Sequence, residues 1–280
     1  MMSSNAVALI TGAANGLGWG LAQHYARQGY DLLLVDRDQM TLESRLQHLQ
    51  QHGCAADQRL AGLAVDLTDN QATKQILQTL RQTFGRLDVL MNNAGITHRS
   101  LADETEIAVT ERVMTLDFMV PVRLTQQCLP LLESQQHRQT PGTVINIGSM
   151  AGWLPVMGRS GYCAAKGALH QYFETLRAET AHRPLHILMV YPSFLATDIE
   201  RNALSGTGQP AKHQRSTIGS IHSVDWMVQR IADAHRKRQD RLFPNRSIAL
   251  AALFYRVMPS LFIRLMRRKF RSELNPERTA

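Results

Sequence analysis

The sequence predicts an α/β fold, a doubly wound parallel sheet with helices on both faces. Three observations carry this prediction. Short apolar runs recur along the chain, stretches of helical spacing lie between them, and a glycine-rich turn joins the first run to the first such stretch.

The runs AVALIT (6–11), DLLLVD (31–36), LAGLAVD (60–66), LDVLMNN (87–93), TVINIGS (143–149) and LHILMVY (185–191) read as fully buried strands. They lack polar alternation, as strands do when helices cover both sheet faces. Segments 17–28, 70–84, 104–133 and 162–182 carry helical spacing, and Gly29 stands where the first helix should stop. This βαβαβ rhythm points to parallel strands with helical crossovers. Residues 133–143 read as a polar loop, and 199–222 as a Gly/Ser/Thr-containing stretch of little periodicity.

Composition narrows the function classes. With 280 residues, 44% hydrophobic and 19% charged, the chain can bury a large core. The start, MMSSNAVALITG, has no basic region followed by a long apolar core, so no secretory signal is expected. Cys54, Cys128 and Cys163 are far apart without CxxC spacing. They read as reduced thiols of a cytoplasmic protein, with no metal site and no disulfide framework. The net charge is +8, of which residues 241–280 supply nine basic side chains against Glu273 and Glu277, or +7. The first 240 residues are thus nearly neutral and offer no basic face for nucleic acid.

The first strand runs into TGAANGLG (11–18), with glycines at 12, 16 and 18. Glycine backbone can approach a pyrophosphate closely, and a helix beginning there supplies free N–H groups and a positive dipole end. Gly12, Asn15, Gly16, Leu17 and Gly18 are therefore candidate dinucleotide-binding residues. Asp36 ends the second strand, where a carboxylate can accept from the adenine ribose hydroxyls and repel a 2′-phosphate. It favours NAD, as does Asn15 in place of a basic residue, whereas the adjacent Arg37 could tolerate NADP.

In YCAAK, Tyr162 and Lys166 are four residues apart and share one face of a helix. Alone, the pair is equally a half-buried ring beside a solvated cation.

TGAANGLG, NNAG (92–95), GSMAG with Ser149, and YCAAK occur in an order and spacing that resemble the short-chain dehydrogenase/reductases over residues 6–245. The resemblance implies a Rossmann-type domain over 1–245; residues 246–280 go beyond that core and read as a basic, apolar, helical extension. It also implies a homo-oligomer. It makes Tyr162 the general acid/base, Lys166 the group that lowers its pKa and holds the nicotinamide ribose, and Ser149 the anchor of the substrate oxygen. A free phenol titrates near 10, and work near neutrality calls for a fall of about 2–3 units.

By the same resemblance Asp66 and Leu67 flank the adenine, and Asn93 with Ala94 lines the adenosine side. Pro192 shapes the nicotinamide pocket and Thr197 binds the carboxamide. Asn93 can equally serve neighbouring backbone groups. The chain departs from the family pattern twice: Asp117 occupies the place of the catalytic asparagine, where an ionised carboxylate close to Lys166 would blunt its effect on Tyr162, and Ser193 that of a glycine. Asp117 leaves open a second reading, a non-catalytic NAD(H) sensor.

The residues after Ser149 and after the sixth strand supply Trp153, Leu154, Val156, Met157, Phe194 and Leu195. They predict an apolar secondary alcohol or ketone as substrate, of steroid, retinoid or long-chain kind. Residues 247–271 are apolar and studded with arginine. Their longest uncharged run, Ser247–Tyr255, is nine residues, too short for a membrane span. They read either as a peripheral membrane contact or as a lid or subunit contact.

Overall fold

The structure, a computed structural model, describes residues 5–55, 57–134, 140–192, 195–197, 199, 202–211 and 221–269. Within them the order is β1 (Val7–Thr11), α1 (Gly16–Arg27), β2 (Asp31–Asp36), α2 (Gln39–His52), β3 (Leu60–Ala64), α3 (Ala72–Thr83) and β4 (Val89–Asn92). The chain continues through α4 (Ile107–Met114), α5 (Val120–Glu133), β5 (Gly142–Ile147), α6 (Ser160–Glu179), β6 (Leu185–Val190) and α7 (Val224–Arg236). It then adds β7 (Arg241–Leu242), α8 (Arg246–Val257) and α9 (Pro259–Lys269).

The seven strands form one sheet in the order β3-β2-β1-β4-β5-β6-β7, and every neighbouring pair is parallel. This is the Rossmann-type architecture predicted. Side chains along each strand alternate between the sheet faces. On β1, Val7 and Leu9 join a core with α3, α5 and α6, whereas Ala8 and Ile10 join one with α1, α2 and α7. β2 divides in the same way, with Leu33 and Val35 against Leu32 and Leu34. Two covered faces explain why these runs show no polar alternation.

Three details differ from the sequence expectation. β3 is only partly buried, because it is an edge strand with a neighbour on one side only. β7 was not foreseen, since two residues carry no periodicity. The segment 104–133 is not one helix: a π-helical turn, Thr115–Met119, separates α4 from α5. Pro121 supplies a reason. It has no N–H to donate to the Asp117 carbonyl four residues back, and Val120 N–H instead bonds Thr115 O, five residues back.

The chain reverses its winding between β1, which leads to β2 and β3, and β4, which leads to β5 and β6. In open parallel sheets, ligands bind outside the carboxyl ends of the strands at such a switch point. The turn after β1 and the segment after β4 both lie there.

Candidate active site

The turn after β1 is shaped by backbone that only glycine tolerates. Gly12 sits at φ +65°, and a Cβ on Gly18 would come within 2.0 Å of the Gly12 carbonyl oxygen. Asn15 precedes α1 without capping it through its side chain, so the first N–H groups of α1 face the turn uncapped. Asp36 braces the turn from β2, accepting from Ala14 N–H at 3.0 Å and Asp38 N–H at 3.1 Å. The glycine cradle, helix start and strand-end carboxylate fit a dinucleotide.

Asn93 stands at the same place and is spent on the turn. Its Nδ2 donates to the carbonyls of Thr11 (2.9 Å) and Gly12 (3.2 Å). Thr11 Oγ1 accepts from the N–H groups of Asn93 (3.0 Å) and Ala94 (3.1 Å). Thr11 was not singled out from the sequence, although its place at the end of a buried strand, facing NNAG, was a usable signal.

The second half of the site forms where α6 meets β5. Ser149 follows β5 in extended conformation and caps a short 3₁₀ turn, its Oγ accepting from Ala151 N–H at 3.1 Å. Gly152 ends that turn against α6, where a Cβ would lie 2.6 Å from the Lys166 carbonyl oxygen. This close approach brings Ser149 beside the YCAAK face. Lys166 Nζ lies 5.7 Å from the Tyr162 ring centroid, donates to Ile147 O at 3.0 Å, and pairs with Asp117 Oδ2 at 3.1 Å. Asp117 is wholly buried, and its Oδ1 accepts from Ile96 N–H at 2.8 Å.

The electrostatics differ from expectation in one respect. Burial pushes the Tyr162 phenol above its ordinary value. Lys166, Ser149 and Arg159 pull it down, but Asp117 opposes them. The expected lowering is thus not reached by Lys166 alone, because burial outweighs its pull and Asp117 adds to that opposition. Burial also disfavours the Lys166 charge, yet Asp117 and Tyr162 outweigh it and hold Lys166 above its ordinary value. For Asp117, burial raises the carboxyl against the pull of Lys166 and Ile96 N–H.

A supporting network runs from the segment after NNAG to the start of α6. His98 Nε2 accepts from Gly161 N–H at 2.9 Å, one residue before Tyr162, and its Nδ1 faces Ser100 Oγ at 3.2 Å. Arg159, also buried, donates to Thr97 Oγ1 at 3.2 Å. His98 therefore satisfies an N–H at the start of α6 in place of a local cap. Burial, with Arg159 nearby, lowers its pKa to about 4. Nothing in the sequence marked His98, because its partner is 63 residues away.

The sequence model described as short chain dehydrogenase matches residues 6–208. The chain belongs to the short-chain dehydrogenase family. It is 32% identical over 272 residues to bovine "Dehydrogenase/reductase SDR family member 7B", covering 96% of this chain and 82% of that one. Mouse "Dehydrogenase/reductase SDR family member 7" is 32% identical over 220 residues, 78% of this chain and 63% of its own length. Among solved structures, a short-chain dehydrogenase from Sphingobium yanoikuyae in complex with NADPH aligns at TM-score 0.74 and 26% identity, covering 91% and 96% of the two chains. A family structure from Burkholderia phymatum in complex with NAD shares the fold at TM-score 0.79 and 20% identity, covering 92% and 95%. Membership makes this chain a nicotinamide-dependent oxidoreductase acting on alcohol or carbonyl groups.

The remaining expected residues of this short-chain dehydrogenase fall as follows. Leu17 and Leu67 are buried in the two cores. Asp66 is exposed just beyond β3; its Oδ1 accepts from Thr68 N–H (2.9 Å) and Oγ1 (2.7 Å), and these bonds lower its pKa. Pro192 is buried beyond β6, with Met150 N–H bonded to its carbonyl at 3.4 Å. Thr197 stands at the turn, its Cγ2 3.3 Å from where a Gly16 Cβ would lie. Trp153 packs into an aromatic group, 4.4 Å from the His170 ring and 5.4 Å from those of Tyr191 and Phe243. Ser193 and Phe194 lie outside the described residues.

Proposed function

We propose that this short-chain dehydrogenase interconverts an apolar secondary alcohol and its ketone with NAD(H), with Tyr162 as general acid/base. The convergence of Ser149, Tyr162 and the buried Lys166 carries the reading. The nicotinamide cofactor, when bound, supplies the hydride-exchanging carbon and, when oxidised, a positive charge that favours phenolate. Ser149 orients the substrate oxygen, and the phenolate of Tyr162 takes the hydroxyl proton in oxidation. Lys166 has three donors. One bonds Ile147 O, and the ammonium's ion pair with Asp117 helps hold it near the Tyr162 ring, where its charge opposes the effect of burial on the phenol.

The substrate class rests on what surrounds Ser149. From Met150 to Ala165, Arg159 is the sole charged residue, and it is buried and bonded to Thr97. Trp153, Leu154, Val156 and Met157 follow Ser149 without a cation to hold a carboxylate or phosphate. Asp36, held at the turn by Ala14 N–H, supports NAD over NADP because a 2′-phosphate beside it would meet a like charge. A lipophilic substrate of this kind fits a cytoplasmic enzyme with a peripheral membrane contact through 247–271. Residues 1–245 would carry the chemistry, in a homo-oligomer.

The test is nucleotide reduction with secondary alcohols graded in polarity, offered with NAD+ or NADP+. Turnover of apolar alcohols with NAD+ supports the proposal; preference for short charged hydroxy acids, or for NADP+, overturns it. A second reading, a non-catalytic NAD(H) sensor, draws on the carboxylate of Asp117 and the raised phenol of Tyr162. Tight NADH binding without turnover of any alcohol or ketone would favour it.

A further inference from the structure

We propose that α8 and α9 form an interfacial element that seats this enzyme on an anionic bilayer surface without crossing it. The inference rests on the peripheral contact proposed for 247–271 and is independent of the catalytic assignment. Seven of the eleven exposed large apolar side chains among the described residues lie between Leu250 and Leu265. Soluble monomers rarely leave such patches uncovered.

The two helices are held to each other and to the domain by an inner face. Phe262 is buried, with the Phe254 ring at 6.0 Å and the Tyr255 ring at 5.3 Å, and Ala252 joins the core that contains Met150 and Tyr191. The outer face of α8 is nonetheless apolar. Leu250, Leu253 and Val257, spaced i, i+3 and i+7, are 65%, 58% and 70% exposed. On α9, Leu261 and Leu265 form an exposed apolar row, and Arg264 and Arg268 form the adjoining row one residue before the turn closes.

Length and charge select the occupant. No single helix among the described residues is long and apolar enough to cross a membrane, and the pair bends by 119° at Met258. Two short helices meeting at that angle suit a surface better than a span. Residues 246–269 carry five arginines and one lysine and no acidic residue. A second copy would set this cationic surface against its own kind, whereas anionic headgroups complement it.

The experiment uses the full-length protein and flotation with vesicles of phosphatidylcholine, alone or mixed with phosphatidylglycerol. The proposal expects binding to the mixed vesicles that weakens with added salt. Replacing Arg264, Arg267 and Arg268 by Gln should weaken it about a hundredfold, at about fivefold per arginine. Leu253→Gln with Leu261→Gln should also release the protein, with wild-type circular dichroism and NADH binding. Wild type that floats with neither vesicle, or variants that float as well as wild type, would overturn the proposal. So would a dimer in sedimentation velocity that Leu253→Gln dissociates while no vesicle binds. Turnover is read separately, so its loss with flotation intact counts against the catalytic reading alone.

Discussion

The Lys166 ammonium lies 3.1 Å from the Asp117 carboxylate, and both side chains are buried. An asparagine at 117 would leave that ammonium free to act on Tyr162; the aspartate divides its influence. The candidate active site thus holds a buried ion pair beside Tyr162.

Asp117→Asn is expected to move the pH dependence of oxidation toward lower pH. Asp117 raises the Tyr162 pKa, so removing its charge lets the phenolate form earlier as pH rises. A pH profile of kcat/KM for both proteins checks the direction. Asp117→Ala, which leaves a buried lysine without its counter-ion, should cost about 3–5 kcal/mol of stability. Adding Lys166→Met to it should recover part of that loss in a double-mutant cycle.

Gly152→Ala tests the seating of Ser149. Its new methyl would press on the Lys166 carbonyl, and backbone there cannot yield as a side-chain tip can. Thermal or urea unfolding should show a loss of about 1–3 kcal/mol, with kcat falling as Ser149 moves away from Tyr162.

Gly18→Ala tests the cofactor turn. The added methyl would overlap the Gly12 carbonyl, so the cradle must open. A cost of about 1–3 kcal/mol would raise the NADH dissociation constant roughly 5- to 150-fold, readable by fluorescence titration.

His98 predicts a pH dependence of stability. Its pKa in the folded protein is about 4, below the ordinary 6.5, so the folded state favours the neutral ring. The unfolded chain binds the proton first, and stability falls as pH drops from about 6.5 through about 4. The change amounts to roughly 3 kcal/mol. Urea unfolding across that range should show a shallower slope for His98→Asn than for wild type. Equal slopes would remove His98 as the cause, leaving His235, also lowered to about 4, as a candidate.

Much of this fold is legible along the chain because its causes are local. Val7 to Thr11, buried on both faces, read as an uninterrupted apolar strand, and Gly29 marked the end of α1. Tyr162 and Lys166 are on one helix, so their shared face follows from spacing. The π-turn at Asp117 was hidden by helical periodicity that continues through it, although Pro121 was the available sign. His98 and Thr11 matter only through partners brought together by folding, whereas the nearness of Asp117 to Lys166 follows from the family pattern. β7 is two residues added to a sheet edge, with no pattern of its own.

The role of Tyr162 as the proton-exchanging group is tested most directly by kcat/KM for NAD+-linked oxidation by wild type and Tyr162→Phe. The substrate is the best apolar secondary alcohol, and NADH binding is titrated in parallel. The expected result is a loss on the order of 10²–10⁴-fold in kcat/KM with NADH binding retained. A Tyr162→Phe protein that oxidises the alcohol as fast as wild type would contradict it.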